Sequence, residues 1–207
     1  MRLDRPFSAI SPSGLDAQVL HVLAQSHRYL SASQIHRALP DEGSLAGVKK
    51  SIARFVEQGT VVDDVIGRSR GFALNDEHLL ADAIREIASA KRLLVERMRG
   101  AIATWPFEPV LVAIFGSAAR DDMRVDSDID VLFVLPDDLE RESGERDVHA
   151  LAARMAAWTG NDVRPLVYAA DEVGPARVFS EILDDAMPIV GRLGWLRGRS
   201  MRQLERS

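Results

Sequence analysis

Residues 116–132 read Gly116-Ser117-Ala118-Ala119-Arg120-Asp121-Asp122-Met123-Arg124-Val125-Asp126-Ser127-Asp128-Ile129-Asp130-Val131-Leu132. Immediately upstream, Val110-Leu111-Val112-Ala113-Ile114-Phe115 is an unbroken apolar run, which reads as a buried strand. It delivers the chain into Gly116 and Ser117. Small residues directly after a buried strand let backbone N–H groups approach a phosphate closely, and Ser117 adds a hydroxyl. Downstream, Asp128 and Asp130 alternate with Ile129 and Val131. Residues two apart in a strand share a face, so the two carboxylates point one way, with Cα atoms about 6.6 Å apart, while Ile129 and Val131 point into a core. Two charges at that separation repel by roughly 2 kcal/mol at an effective dielectric near 20. A globular core gains nothing from such a pair. A divalent cation between the acids reverses the sign, and hard oxygen ligands suit Mg²⁺. An isolated Asp-x-Asp reads as two harmless aspartates on a wet strand; here the pair follows a Gly-Ser turn by about ten residues.

The whole string resembles the signature of the minimal nucleotidyltransferases of the DNA polymerase β superfamily. The resemblance implies that Gly116 and Ser117 hold the triphosphate of an NTP, with ATP the expected substrate. It implies that Asp128 and Asp130 are catalytic residues and ligands of Mg²⁺ (or Mn²⁺), and that Arg120 steadies a phosphate or the loop. Read from its surroundings alone, Arg120 pairs with Asp121, Asp122 or Asp126. The implied reaction is attack of a hydroxyl on the α-phosphate with pyrophosphate leaving.

Members of that family take a third carboxylate from a later strand, after an apolar residue. The matching segment here is Asp162-Val163-Arg164-Pro165-Leu166-Val167-Tyr168, preceded by a helix over about 145–158 and a turn at Thr159-Gly160. Aligning Val163 with the apolar position puts Arg164 where the acid belongs. Asp162, the candidate third catalytic residue, lies two residues earlier. Pro165 cannot donate to a ladder, so the strand is expected at an edge or with a bulge. An arginine in that place implies slow or absent turnover, leaving a domain that binds nucleotide and reports it, or else direct neutralisation of phosphate.

The N-terminal third reads differently. Leu15, Val19, Val22 and Leu23 form one helical stripe. Ser31-Ala32-Ser33-Gln34 reads as a capping box opening a short helix to Leu39, stopped by Pro40. Ser44 caps a third helix with Leu45, Val48, Ile52, Phe55 and Val56 facing inward, ended by Gly59. Thr60–Ile66, a glycine-flanked turn and Phe72–Leu74 then read as a hairpin. Three helices and a hairpin resemble a winged helix-turn-helix domain. That resemblance puts Ser44, Ala46, Lys49, Lys50 and Arg54 on the face toward DNA, with Arg68 and Arg70 at the wing tip. Cationic side chains suit phosphate. They also read as a solvated surface, and Asp63 and Asp64 on the wing oppose a tight fit to DNA.

Between these parts, the apolar spacing of residues 77–104 predicts one long helix with two stripes, Lys91 breaking one of them. Such a helix packs along its own domain or joins two protomers as a homodimer. The expected fold is therefore α+β: a winged helix-turn-helix over 1–75, a linking helix over 76–104, and a nucleotidyltransferase domain over 105–207 with a mixed sheet flanked by helices. Residues 136–145 read as a polar loop. Ser180–Ala186 reads as a short capped helix, 187–191 as a short strand, and the arginine-rich tail 192–206 as fraying.

Composition limits the classes. The chain has 207 residues, 46% of them apolar and 28% charged, the balance of a globular protein. With no cysteine, disulfides, thiolate zinc sites and cysteine nucleophiles are excluded. The five histidines show no ligand spacing. No apolar run reaches the length of a membrane span and no secretory leader is read, so a cytoplasmic location and no membrane partner are expected. Residues 1–75 carry nine Lys/Arg against seven Asp/Glu, and the remainder 17 against 24. A weakly basic front does not hold nucleic acid by charge alone. The readings are, in order, a nucleotidyltransferase whose winged helix chooses a target, a DNA-binding regulator that senses nucleotide, and an adaptor for a partner protein. The acceptor implied by the family is a protein hydroxyl, as in its antitoxin-like members, an RNA end or a small molecule; a protein acceptor or a toxin stands among the partners considered, beside DNA through the winged helix.

Overall fold

The computed structural model describes residues 1–10, 14–67 and 69–201. The chain divides into two compact units, Arg5–Ala90 and Met1–Asp4 with Lys91–Ser207.

In the first unit a 3₁₀ turn, Pro6–Ala9, precedes α1 (Leu15–Gln25), α2 (Ala32–Arg37) and α3 (Leu45–Glu57). Both serine caps form. The Gln34 amide donates to Ser31 Oγ at 3.3 Å while the Ser31 amide donates to Gln34 Oε1 at 2.8 Å, and the Gly47 amide donates to Ser44 Oγ at 3.0 Å. These bonds satisfy N–H groups that a helix start leaves without partners. The strands β1 (Val61–Ile66) and β2 (Ser69–Leu74) pair antiparallel, Val61 opposite Leu74 and Ile66 opposite Ser69. Leu30 bridges to Phe72 beside them. Val19, Leu23, Ile35, Val48, Ile52 and Val61 form the core. A second cluster around Phe7, Leu74 and Ile84 seats α4 (Ala81–Ala88).

The expected single helix over 76–104 is not continuous. Residues 76–80 are turns, α4 ends at Ser89, and α5 runs Ala90–Ile102. The apolar stripes are shared between the two units: Ile84 and Ala88 are buried in the first, Leu94, Met98 and Ala101 in the second. Ser89 takes the break, its amide donating to the Arg85 and Glu86 carbonyls.

The second unit is built on one four-stranded sheet. Its strands are β3 (Leu111–Phe115), β4 (Ile129–Leu135), β5 (Val163–Ala169) and β6 (Met187–Val190), in the order β5-β4-β3-β6. β3 is antiparallel to β4 and β6, and β4 is parallel to β5, so the sheet is mixed, as expected. A four-residue helix, α6 (Ser117–Arg120), follows β3, and α7 (Arg141–Thr159) makes the crossover from β4 to β5. Alternation along β4 sorts the packing. Ile129, Val131 and Phe133 face α5 and α7, where Leu94, Met98, Val148, Leu151 and Met155 meet them. Leu132 and Val134 face the other way, against Phe179 and Ile182 of α8 (Arg177–Asp185) and Leu196 of α9 (Leu193–Met201). Asp130, two residues before Leu132, belongs by parity to this second face.

Three local expectations change. α7 starts at Arg141, inside the stretch expected as loop: Gly144 is buried there against Leu135 and Leu139, and Arg141 pairs with Glu145 one turn on. α8 starts at Arg177 rather than Ser180 and has no side-chain cap. Of the tail expected to fray, residues 193–201 are helical, because Leu196 is fully buried beneath the sheet, and 202–206 lie outside the described residues. No described helix is long and apolar enough to cross a membrane.

Candidate functional site

The two sequence features meet where β3 ends and β4 begins. Phe115, the last residue of β3, stands opposite Asp130 in the ladder, so Gly116 emerges beside the Asp130 carboxylate. Gly116 has φ 71° and ψ −151°, a region only glycine occupies readily. A methyl group built at that position would lie 3.0 Å from Asp130 Oδ2. The absence of a side chain at 116 thus lets backbone and carboxylate approach each other. Ser117 opens α6 directly after it.

Asp128 and Asp130 are both half-buried and flank Ile129, which is fully buried. The Asp130 carboxyl is held above the ordinary carboxylate value, chiefly by burial; Arg164 opposes the shift and the charge of Asp128 adds to it. The two acids therefore feel each other, as their spacing requires. Their approach is fixed by polar ties. The Arg124 amide donates to Ser127 Oγ at 2.8 Å, and buried Asn161 donates from Nδ2 to the Ser127 carbonyl at 2.8 Å. The Ile129 amide donates to the Asp162 carbonyl at 2.9 Å.

β5 lies at the sheet edge, where Pro165, lacking an N–H, is tolerated. Its register with β4 is unbroken: Val163 pairs with Ile129, and Arg164 with Asp130. Arg164 Nη2 is 2.7 Å from Asp128 Oδ2. Arg164 thus stands beside both acids, while Asp162 is exposed, just ahead of the strand, and engages β4 through its backbone. Among the described residues, no three His, Asp or Glu side chains converge to hold a metal.

Arg120 is turned to structural partners, Asp122 on its own loop and Asp185 at the end of α8. Asp185 lies 65 residues away in sequence, beyond the neighbours from which a partner was expected. Lys91 explains its own interruption of the apolar row: its ammonium donates to the Ala119 carbonyl at 3.0 Å and pairs with Asp121, a left-handed residue with φ 60° that ends α6. Lys91, Asn161 and the Arg164–Asp128 pair are site features that sequence reasoning did not assemble. The visible signals were a lysine inside an apolar stripe and an arginine at the position of the third acid.

In the first unit, Lys49 and Lys50 are exposed on α3 and have no acidic partner among the described residues. Arg54 pairs with Asp16, and Arg70 with Asp63 on the facing strand. Arg68 lies outside the described residues. Ser44 and Ala46 are exposed at the start of α3.

The family model of the nucleotidyltransferase domain matches residues 95–206, more than half of the chain. No curated protein matches. Similar solved structures include a toxin–antitoxin with AMP-PNP, at 16% identity over 56% of this chain and 83% of the other, with a TM-score of 0.37. The toxin–antitoxin MntA–HepT is 14% identical over 56% and 85%, with a TM-score of 0.37. A tri-AMPylated Shewanella oneidensis HEPN toxin in complex with MNT antitoxin is 14% identical over 56% and 85%, with a TM-score of 0.38. These likenesses are distant, and the family assignment rests on the domain match.

Proposed function

This chain belongs to the nucleotidyltransferase domain family, and from that membership we propose that it transfers a nucleoside monophosphate from an NTP, ATP first, to a hydroxyl acceptor. The observation that carries the reading is the close approach of the Gly116 backbone to Asp130, with Asp128 alongside. In this reading the Gly116-Ser117 turn and the Ser117 hydroxyl bind the triphosphate. The acceptor oxygen attacks the α-phosphorus as its hydroxyl proton is released to solvent, the bond from that phosphorus to the bridging oxygen breaks, and pyrophosphate leaves.

Asp128 and Asp130 fit a divalent ion, Mg²⁺ or Mn²⁺: they offer hard oxygens on one strand face, and burial makes the unneutralised Asp130 charge unfavourable. Such an ion, when bound, stabilises charge on the oxygens around the reacting phosphorus. Asp128 and Asp130 orient it, and Arg120 steadies the loop through Asp122 and Asp185. In this reading Arg164, and not Asp162, fills the third position beside the two acids.

The test is incubation of the full chain with α-labelled and γ-labelled ATP, Mg²⁺ and cell extract. Label is expected to reach the acceptor from the α position only, and to vanish with Asp128→Asn/Asp130→Asn. Transfer of γ label, or transfer that survives both substitutions, removes the reading. Gel mobility separates a protein acceptor, including a toxin partner, from an RNA acceptor.

The Arg164–Asp128 pair favours a second reading, in which a winged helix-turn-helix over the first unit binds DNA and the second unit senses nucleotide. Lys49 and Lys50, exposed and without acidic partners among the described residues, support it. Duplex DNA binding is then expected to be salt-sensitive, to weaken with Lys49→Ala/Lys50→Ala, and to shift when ATP is added. Negligible affinity at low salt removes it.

A further inference from the structure

Arg164 is placed to do more than close an ion pair. It faces Asp130 across the parallel ladder and reaches Asp128 Oδ2 at 2.7 Å. Its side chain is 69% exposed, whereas that of Asp128 is only 23% exposed. A pair with so open a partner is weakly held, and the long arginine stem is free to swing. Among the described residues, the two acidic charges are met by the single positive charge of Arg164. A pair of divalent ions stands about 3.5–4 Å apart and needs carboxylates shared between them. Here Arg164 stands opposite Asp130 where a third acid would complete such a site, and no third acid joins the cluster among the described residues.

We propose that Arg164 replaces a second cation: the site admits one divalent ion with the nucleotide, and the guanidinium passes from Asp128 to a phosphate oxygen when the nucleotide enters. The planar fork of arginine suits a phosphate as well as a carboxylate, so the exchange keeps its hydrogen bonds while releasing Asp128. The inference rests on the nucleotidyltransferase reading above and adds to it the ion count and the residue that meets phosphate.

The experiment counts Mn²⁺ by electron paramagnetic resonance on the full chain saturated with a non-hydrolysable ATP analogue. Wild type is expected to bind one ion, and Arg164→Asp two. In parallel, Arg164→Ala is expected to bind the analogue about tenfold more weakly, with an unchanged circular dichroism spectrum. Two ions on wild type, or one on Arg164→Asp, overturn the replacement of a cation. Unchanged analogue affinity in Arg164→Ala overturns the transfer to phosphate. Failure of wild type to bind the analogue at all is a separate result, and it overturns the underlying reading.

Discussion

Replacing Gly116 by alanine tests the junction between turn and acid. The backbone there, at φ 71° and ψ −151°, costs a residue with a side chain on the order of 1–3 kcal/mol. The new methyl group would also stand 3.0 Å from Asp130 Oδ2, so carboxylate or turn must move by a few tenths of an ångström. Taking about 2 kcal/mol for both effects, and about 4 °C of Tm per kcal/mol for a unit of this size, Gly116→Ala is expected to melt about 8 °C below wild type. Gly160→Ala is the matched comparison. It too has a positive φ, 70°, but nothing lies within 4 Å of the added methyl group. It should cost about 1 kcal/mol, or about 4 °C. The two variants should separate in nucleotide affinity measured by calorimetry. Gly116→Ala, which displaces Asp130, should bind a magnesium ATP analogue at least about tenfold more weakly, equivalent to about 1.4 kcal/mol, and Gly160→Ala as wild type does. If Gly116→Ala melts lower yet binds the analogue with full affinity, the junction is a structural turn alone and the reasoning fails.

Other perturbations follow from the same geometry. Because burial holds the Asp130 carboxyl above its ordinary value, the folded chain keeps more protons than the unfolded one between the two values, and stability falls as pH rises through that window. Asp130→Asn in EDTA at pH 7 should therefore melt above wild type, with the gap closing in acid; an equal or lower Tm at neutral pH contradicts this. The His21 ring is held below its ordinary value by burial and by Arg5, so the first unit should lose stability as pH falls through the ordinary histidine value, about 6.5. His21→Leu should flatten that dependence in melts followed by circular dichroism, and an unchanged slope refutes it. A methyl group at Gly191, where φ is 75°, would lie 2.2 Å from the Val110 carbonyl oxygen. Gly191→Ala should leave the second unit largely unfolded in proteolysis at 25 °C, and wild-type resistance would show that the β3–β6 junction relaxes.

Local patterns were legible wherever one short stretch determines its own structure. The Ser31/Gln34 box needs only four consecutive residues, and the Gly-Ser turn and Asp-x-Asp pair are each set by a strand's alternation. What sequence could not give was decided by distant partners. Arg120 meets Asp185 because α8 returns across the sheet. Leu196 holds residues 193–201 of the arginine-rich tail in a helix by packing with Leu132 and Val134. The break at Ser89 falls where one apolar row passes from the core that buries Ile84 to the core that buries Leu94, a division no single stretch of sequence displays. The register of β5 was open, since Pro165 permits a bulge; the ladder that runs unbroken from Val163 to Ala169 is what sets Arg164 opposite Asp130.

The central claim is that the Gly116-Ser117 turn and the acids Asp128 and Asp130 together take up a metal-bound nucleoside triphosphate. Isothermal calorimetry of the full chain with a non-hydrolysable ATP analogue, with and without Mg²⁺, tests it most directly. The account predicts a single saturable site that requires Mg²⁺ and disappears in Asp128→Asn/Asp130→Asn. Binding of equal strength in that double variant, or no binding by the wild-type chain, would contradict it.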